Sequence, residues 1–410
     1  MVSVNSKESV VSTSKERVFQ VLRGETPDQV PAAPAYLTLF LADFERAYYV
    51  EQYRRRMRGL DRYPVDHRED TQFRARAIYQ SYGIFKQPPD WMEIGQGASR
   101  SWAERTDIVS EDNLLYYEDK LTGKQRSMHD SPLPRGSMER VDDHDSTRDL
   151  WDTSGQISSK EQVDAHLPLL DPQTMLERGD FDLPRQIVAD YGDSTFITTI
   201  LDTPFSDAYD LLGFQGLMLI QHDQPKLFHH LLERRLEVTK QFIDAWSAVG
   251  IHGVYVEEVF TGADIISPRA YDEFVFAYNR PYFQYMSGLG LLPIHYVCGD
   301  VIPRLERIAQ YNIAAVGVEE SKKKFVIELE AVVRKVAGRV AVLGNIDAVR
   351  YGQNASLQDM AVEAKRQLRI GQDARGFLLS TGSPFPLDTN PRLIDTMIAT
   401  AHAFRVSASC

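Results

Sequence analysis

The second half of the chain alternates between short apolar runs and longer amphipathic stretches. From Ser194 onward, runs such as TFITTIL and GVYVEE are each followed by a stretch whose apolar side chains recur mostly at three and four residue steps. The short runs are typical of buried strands, and the stretches are typical of helices that cover one face of a sheet. The pattern therefore predicts six strand–helix units in this half alone.

Two further strands are predicted nearer the amino terminus, one in VPAAPAYLTLF and one between Ile84 and Met92. Eight strands alternating with helices predict an α/β fold, a (β/α)8 TIM barrel, rather than an open sheet. A doubly wound sheet is the alternative. Its dinucleotide fingerprint, G-x-G-x-x-G directly after a strand, is missing from the sequence.

The front half adds elements outside the barrel pattern. We predict a helix, KERVFQVLRGE, within an amino-terminal extension of about residues 1–30, and helices with polar outer faces between Ala42 and Tyr82. Between Trp102 and His129, short β-like runs separated by EDN and LTGK turns predict an antiparallel meander. Residues 131–171 are polar and predict a surface lid with one helix, SKEQVDAHL. The prediction is one barrel domain over residues 1–410 with a meander and lid insertion over about 95–170.

Composition narrows the function classes. The 410 residues are 43% hydrophobic and 25% charged, with a net charge of −12, so the basic surplus typical of nucleic-acid binding is missing. No run approaches twenty apolar residues, and the first twenty residues lack the features of a signal peptide, so we expect a cytoplasmic protein without membrane contact. Cys298 and Cys410 are too few for a disulfide framework, which agrees with a reducing compartment.

Reactive side chains crowd the end of one predicted strand. In LLPIHYVCGD, an apolar run is followed by His295, Tyr296 and Cys298, then by Gly299 as a turn residue and Asp300 as the predicted N-cap of the next helix. In parallel α/β folds, ligands bind at the carboxyl ends of the strands. This mouth is therefore where we expect the chemistry.

Other predicted strands also end in polar residues. These are Tyr36, Asp202, Glu257, Glu258, Glu319, Glu320, Asn345, Asp347, Thr381 and Ser383. Carboxylates together with one His and one Cys suit either a metal site or acid–base chemistry.

A zinc site is the sharper of these two hypotheses. Zinc accepts His nitrogen, Cys sulfur and carboxylate oxygen, and a catalytic zinc uses three protein ligands, for which Glu258, His295 and Cys298 are candidates. Side chains alternate along a strand, so His295 and Cys298 face the same side only if the strand bends between them. The alternatives are a buried apolar thiol and a His hydrogen-bonded to a neighbouring carboxylate.

Several motifs resemble one known superfamily. The stretches LDTPFSDAYDLLG, VYVEEVFTGADIISPRAYDEFVFAYNRPYF, IHYVCGDV, VGVEES, VLGNIDAV and LLSTGSPFP, spread over Thr199 to Phe404, resemble the uroporphyrinogen decarboxylase superfamily. That superfamily includes zinc-dependent, corrinoid-linked methyltransferases. The resemblance implies a (β/α)8 barrel.

Departures from the family patterns favour one branch. Decarboxylases carry an Arg-rich segment after the first strand that grips substrate carboxylates, whereas YLTLFLADFERAYYV has no Arg before Arg46. Thiol-methylating methyltransferases carry His-x-Cys and a distant Cys, whereas here His295 is one place early and Ser383 replaces the last Cys. A His, Cys, Cys zinc site is therefore broken.

Methyl-ether-cleaving members resemble one another in a Glu-x14-Glu-x20-His zinc motif. Glu258 and Glu273 are separated by fourteen residues, and His295 follows Glu273 after twenty-one, so one spacing matches and the other is one too long. Glu273 would lie in the second turn of a helix that could simply expose it, and Asp264 is then the alternative ligand.

The resulting prediction is a zinc-dependent methyltransferase that moves a methyl group from a small, aromatic methyl ether to the cobalt of a corrinoid protein. The corrinoid is expected on a separate protein, since no cobalamin-binding module is recognisable in the sequence. The predicted site comprises zinc ligands Glu258, Glu273, His295 and Cys298, catalytic residues Asp202, Asn345 and Asp347, and substrate-binding residues Tyr36, Phe40, Tyr255, Glu257, Tyr296, Ser383 and Phe385. A decarboxylase of a smaller acid and a non-catalytic ligand-binding or corrinoid-protein-binding barrel are the alternatives. The oligomeric state stays open.

Overall fold

The computed structural model describes residues 12–130, 157–336 and 338–405. The first part of the predicted extension and most of the predicted lid, residues 131–156, lie outside the described residues, as does Cys410.

Strands and helices alternate through the described chain. The strands are β1 (Arg62–Pro64), β2 (Trp91–Glu93), β3 (Thr106–Glu111), β4 (Leu114–Asp119), β5 (Gln125–Ser127), β6 (Phe196–Asp202), β7 (Gly253–Glu258), β8 (Leu292–Val297), β9 (Ala315–Val318), β10 (Ala341–Leu343) and β11 (Phe377–Leu378). The helices are α1 (Ser14–Arg23), α2 (Leu37–Arg56), α3 (His67–Tyr82), α4 (Arg100–Arg105), α5 (Lys160–His166), α6 (Pro172–Glu177), α7 (Asp182–Tyr191), α8 (Pro204–Asp207), α9 (Tyr209–Asp223), α10 (Pro225–Val249), α11 (Pro268–Ala270), α12 (Ala277–Gly288), α13 (Leu305–Ile308), α14 (Leu329–Val336), α15 (Ala348–Gln353), α16 (Leu357–Gly371) and α17 (Pro391–Ala403), with a π-helical turn, Tyr271–Phe276, before α12.

Seven parallel strands in the order β11-β10-β9-β8-β7-β6-β2 form the main sheet, and the segment 31–33 closes it. Leu379 N–H donates to Pro31 O at 3.0 Å on one side of this segment, and Asp90 N–H donates to Ala32 O at 2.8 Å on the other. The segment therefore occupies the eighth position of a closed barrel, and the predicted (β/α)8 fold is confirmed.

The two faces of each strand pack into different clusters. Trp91, Phe196, Tyr255, Ile294 and Leu343 belong to the cluster inside the barrel, whereas their alternate neighbours along the strands pack against the surrounding helices. Side chains alternate along a strand, so the interior residues differ by two in number. This alternation decides which strand-end side chains reach the mouth.

Helix α1 closes the amino-terminal end of the barrel. Thr13 caps it, with its hydroxyl oxygen accepting from Glu16 N–H in a capping box. Val18, Val21 and Leu22 of this helix join the interior cluster. Since one end is plugged, the open mouth lies at the carboxyl ends of the strands.

The first predicted strand is only partly correct. Segment 31–33 pairs as a strand, but Leu37–Arg56 is helix α2, so YLTLF belongs mostly to a helix. Tyr36 precedes that helix in a left-handed conformation with φ 52°. The predicted N-cap Asp300 is also wrong, because the next helix, α13, begins only at Leu305.

The predicted meander is confirmed over β3, β4 and β5, which pair antiparallel, and β1 adds a fourth strand. Asp112 and Asn113 have φ values of 49° and 64° in the turn from β3 to β4. Two successive left-handed residues fit the two-residue hairpin turn whose twist matches the strands. Among the described residues, no helix has the length and apolar character that crossing a membrane would require.

Candidate active site

Polar side chains from four adjacent strands line the mouth of the barrel. Asp202 ends β6 directly beside Glu257 of β7 in the parallel register. Each of these two residues comes an even number of positions after a residue that faces the barrel interior, so its side chain points to the same side. The same holds for Cys298 after β8 and Glu319 after β9. We call Asp202, Glu257, Cys298 and Glu319 the mouth ring.

Three tyrosines pack beneath the mouth ring. The ring centroids of Tyr36 lie 5.4 Å from Tyr255 and 5.5 Å from Tyr296, and Tyr255 and Tyr296 also lie 5.5 Å apart. The Tyr296 hydroxyl donates to Gly382 O. The Tyr36 hydroxyl lies beside the Glu257 carboxylate. The Tyr255 hydroxyl is buried and has no hydrogen-bond partner among the described residues, so it is free to meet a ligand or water.

The carboxyls of the mouth ring retain protons more readily than free carboxyls. Burial, together with the charges of Asp207 and Glu257, raises the pKa of Asp202 to about 8, although solvent in the open mouth still reaches this side chain. Burial also raises the pKa of Glu257 and of Glu319, and the charge of Glu319 adds to the effect on Glu257. Asp202 can therefore hold and deliver a proton near neutral pH.

Glu93 at the end of β2 fixes the entry to helix α2. Its Oε1 accepts from Tyr36 N–H at 3.1 Å, and its Oε2 accepts from the Thr38 hydroxyl at 3.4 Å. The residue before α2, Tyr36, supplies no side-chain cap, so Glu93 caps the helix from a neighbouring strand. This contact holds Tyr36 at the mouth in its left-handed conformation.

Replacing Glu93 by Gln should change how stability depends on pH. Burial raises the pKa of Glu93 from 4.5 to about 7, so the folded protein binds an extra proton between these values. The extra proton stabilises the folded state, and this contribution is complete below the unfolded pKa. It is lost as pH rises through about 7, which lowers the free energy of unfolding by roughly 2–3 kcal/mol. Chemical denaturation at pH 5 and pH 8 gives the difference in free energy of unfolding between Glu93→Gln and the wild type. This difference should shift in favour of the variant by about that amount at pH 8. An unchanged difference between the two proteins at both pH values would contradict this assignment.

Glu258 and His295 face away from the mouth. His295 Nε2 lies 3.1 Å from Glu258 Oε2, and both side chains are 0% exposed in the layer between the sheet and the helices. Glu258 Oε1 accepts from the Thr261 hydroxyl at 2.6 Å, and its Oε2 accepts from Asn279. Both Glu258 oxygens are thus already hydrogen-bonded. This arrangement matches the alternative to a zinc ligand given above, in which the His is hydrogen-bonded to a neighbouring carboxylate.

The other two predicted zinc ligands lie elsewhere. Glu273, 38% exposed, contacts His229 and Arg269 on the helix surface. Cys298 lies on the interior side, with its Sγ 4.0 Å from Glu257 Oε1.

Strand β8 runs without a bend to Val297, so His295 and Cys298 face opposite sides. Within the described residues, no three His, Cys, Asp or Glu side chains form a group suited to a metal ion. The four predicted ligands, as arranged here, do not fit one zinc site.

The remaining predicted site residues have various roles. Asp347 accepts from Arg350 N–H as the N-cap of α15, and the Asn345 amide donates to Glu319 O at 3.1 Å. The Ser383 hydroxyl donates to Glu320 Oε1 at 3.0 Å at the edge of the mouth. Phe40 and Phe385 lie in the core outside the barrel and do not line its interior, so their contact with substrate stays a prediction.

Two features of the mouth escaped the sequence analysis. Glu93 lies in a three-residue strand, too short for a sequence pattern to show that Glu93 ends a strand. Only the pairing of β2 with β6 places Glu93 near Tyr36. The side on which Tyr296 and Cys298 fall could have been found by counting in steps of two from the apolar Ile294.

Comparisons with known proteins identify the family. The family model described as uroporphyrinogen decarboxylase (URO-D) matches residues 181–404, more than half of the chain. A uroporphyrinogen decarboxylase from Nocardia farcinica is 26% identical over 188 residues, or 45% of this chain and 50% of that protein. One from Tolumonas auensis is 26% identical over 60% of this chain and 69% of that protein. The match thus spans about half the length of the first of these curated relatives.

One solved structure supports the fold over nearly the whole chain. A methyltransferase from Methanosarcina mazei superposes with a TM-score of 0.61 and 16% sequence identity, covering 95% of this chain and 98% of the other. At that identity the likeness shows the barrel fold and nothing finer. On the match to residues 181–404, the chain belongs to the uroporphyrinogen decarboxylase (URO-D) family.

Proposed function

We propose that this protein is a methyltransferase that moves a methyl group from a small methylated donor to the cobalt of a corrinoid protein. The donor predicted from the sequence is an aromatic methyl ether, so the reaction would be an O-demethylation. The observation that carries the proposal is the acidic mouth, where Asp202, Glu257 and Glu319 face the interior. A tetrapyrrole bearing many carboxylates would be repelled by these groups.

Two basic groups whose charges act on the mouth ring are already paired with other carboxylates. Among the described residues, Lys322 pairs with Glu320 and Arg235 pairs with Asp207 at 3.0 Å. The methyltransferase from Methanosarcina mazei covers this chain at nearly full length, which supports the proposal by analogy of fold.

The residues of the mouth suit the departure of an oxygen leaving group. A bound corrinoid protein would supply the nucleophile that accepts the methyl group. When the methyl–oxygen bond breaks, its electron pair stays on the oxygen, which then needs a proton or a positive charge nearby. Asp202, with a pKa of about 8, is protonated at neutral pH and can donate that proton.

Zinc has no step in this proposal, because its predicted ligands lie on two sides of strand β8 and on the protein surface. Zinc binding stays a prediction from the sequence. Metal analysis of the purified protein tests it independently of activity.

A decarboxylase acting on a smaller acid is the second candidate. The raised pKa of Asp202 favours it too, because loss of carbon dioxide leaves a carbanion that a protonated carboxyl can quench. Release of carbon dioxide from small carboxylic acids, measured without corrinoid, separates this candidate from methyl transfer.

The proposal predicts strict dependence on a corrinoid acceptor. The purified protein alone should release no phenol catalytically from aryl methyl ethers. Adding a reduced corrinoid protein, or reduced free cobalamin at high concentration, should start phenol release together with methylation of the cobalamin. The absorption spectrum of the cobalamin measures this methylation. Repeated turnover without a corrinoid would contradict the proposal.

A further inference from the structure

The mouth ring carries more negative charge than its surroundings balance. The Glu257 carboxylate contacts the Cys298 thiol, with sulfur and oxygen 4.0 Å apart, and the Tyr36 hydroxyl. Glu319 Oε2 accepts from Gly299 N–H at 2.7 Å. Neither carboxylate forms an ion pair of 4.0 Å or less with a base among the described residues.

The charge of Glu319 acts on Glu257, while Glu319 itself feels the negative charges of Glu320 and Asp264 and the positive charge of Lys322. Burial is the main cause of the raised pKa of Glu257, and the Glu319 charge raises it further. Two carboxylates placed this way repel each other unless a cation lies between or above them. A cationic ligand would relieve both the burial and the repulsion.

The Tyr255 hydroxyl is a second, independent sign of a missing ligand. Tyr255 is 0% exposed, and its hydroxyl has no hydrogen-bond partner in the described part of the chain. It lies near Glu93, Cys298 and Glu257. Buried polar groups are normally satisfied, so this atom indicates a polar ligand or water at the mouth.

The set of side chains at the mouth favours an organic cation over a metal ion. In the described residues, no three acidic, His or Cys side chains converge as metal ligands do. An ammonium group with carbon substituents is larger, is held by charge without short coordination bonds, and is also attracted by the face of an aromatic ring. The Tyr36 ring packs against Tyr255 and Tyr296 and lies next to Glu257.

We infer that the ligand of this mouth, which is the methyl donor under the proposed function, carries an organic ammonium group held by Glu257 and Glu319 above the Tyr36 ring. This inference rests on the proposed function only for the ligand's role as methyl donor. The ammonium group has two sources in a methylated molecule: a side group of a methyl ether, or the methylated nitrogen itself.

The two sources differ in where the electrons and proton go. From a methylated ammonium, the carbon–nitrogen bond breaks, its electron pair stays on nitrogen, and a neutral amine leaves without needing a proton. From an ether, the pair stays on oxygen, which takes the proton of Asp202. In both cases the reduced corrinoid donates the electron pair of the new bond to the methyl carbon.

Binding of choline and of its neutral isostere 3,3-dimethyl-1-butanol to the full chain tests the charge directly. Calorimetry at pH 7.5 should show choline bound at least tenfold more tightly, because only the charged compound is attracted by the carboxylates. Affinity for choline should rise with pH as Glu257 and Glu319, whose pKa values burial raises above that of a free glutamate, lose their protons. Equal binding of the two compounds, or no choline binding, would overturn the inference.

Two variants and a matched control locate the cation. Glu257→Gln and Glu319→Gln should each weaken choline binding about tenfold, since a contact to a charged group is lost. Gln keeps an oxygen that can accept from Gly299 N–H, so the loop contact of Glu319 survives. Asp373→Asn removes one charge from an exposed loop before β11, at the opposite end of the barrel, and should leave binding unchanged.

Circular dichroism and thermal unfolding establish that each variant is folded. Glu257→Asp keeps the charge and should bind choline more tightly than Glu257→Gln does. If Glu257→Gln is not folded, Glu319→Gln carries the test. Loss of choline binding in Asp373→Asn equal to that in Glu257→Gln would overturn the assignment, because the effect would then be one of net charge.

The transfer assay separates failure of this inference from failure of the proposed function. Choline binding that depends on Glu257, without methyl transfer from ammonium-bearing donors, would support the cation site and contradict the methyltransferase. Transfer from neutral ethers that equals transfer from ammonium-bearing donors would support the methyltransferase and overturn the cation. Donors methylated on oxygen or on nitrogen, compared in Asp202→Asn, identify the leaving atom, because only the oxygen donor needs that proton.

Discussion

Asp202→Asn is expected to lower methyl transfer from an ether donor to reduced cobalamin by about 100-fold or more. Asn has the same shape as Asp but cannot deliver a proton to the leaving oxygen. Solvent reaches Asp202 through the mouth, so the substitution should leave the fold intact. The measurement is the initial rate of cobalamin methylation at saturating donor, with the unfolding temperature recorded for the same sample.

The pH dependence of the wild type provides an internal check on this result. The pKa of Asp202 is raised to about 8, so transfer should be constant below that pH and fall as the carboxyl loses its proton above it. That alkaline limb should be missing in Asp202→Asn, whose residual rate should not depend on pH there. The Asp373→Asn protein should keep both the rate and the limb. Wild-type transfer that rises above pH 8 would contradict a role for Asp202 as a general acid.

The alternation of side chains along β7 and β8 explains which site predictions from the sequence hold. Tyr255, Glu257 and Tyr296 do lie at the mouth, because each follows the interior apolar residues by steps of two. His295 and Glu258 fall on the other face for the same reason. The sequence motif combined these two residues of the outer face with Glu273, which lies in a helical turn at the surface, so its three members do not meet.

Barrel closure is the part of the fold that the sequence could least provide. The segment 31–33 pairs with β11 and with Asp90 through only a few backbone bonds, and the apolar run that predicted a strand here continues into helix α2. Helix α2 begins at Leu37 because Glu93, far away in sequence, caps it. Local apolar residues predicted a strand at this point, and a tertiary contact produced a helix.

The buried pair of Glu258 and His295 is expected to govern stability, so His295→Ala should lower the free energy of unfolding by about 3 kcal/mol. The substitution leaves the Glu258 carboxylate, which is 0% exposed, without one of its partners. It also removes a ring packed 4.8 Å from Phe283 and 5.7 Å from Tyr311, measured between centroids. Chemical denaturation gives the loss, and His222→Ala, at an exposed His on α9, serves as the matched control with little change expected.

The same preparation decides between a structural and a metal-binding role for His295. If the pair only braces the layer between β8 and α12, folded His295→Ala should keep its methyl-transfer rate per folded molecule within about threefold, since the mouth ring lies on the other face of the strand. Zinc content, measured by elemental analysis, should then be equal in the variant and the wild type. A folded variant of nearly normal stability that has lost both zinc and transfer would show that His295 turns toward a metal in the working enzyme. Glu258 would in that case have to leave Asn279 and Thr261, the two partners that hold its carboxylate here.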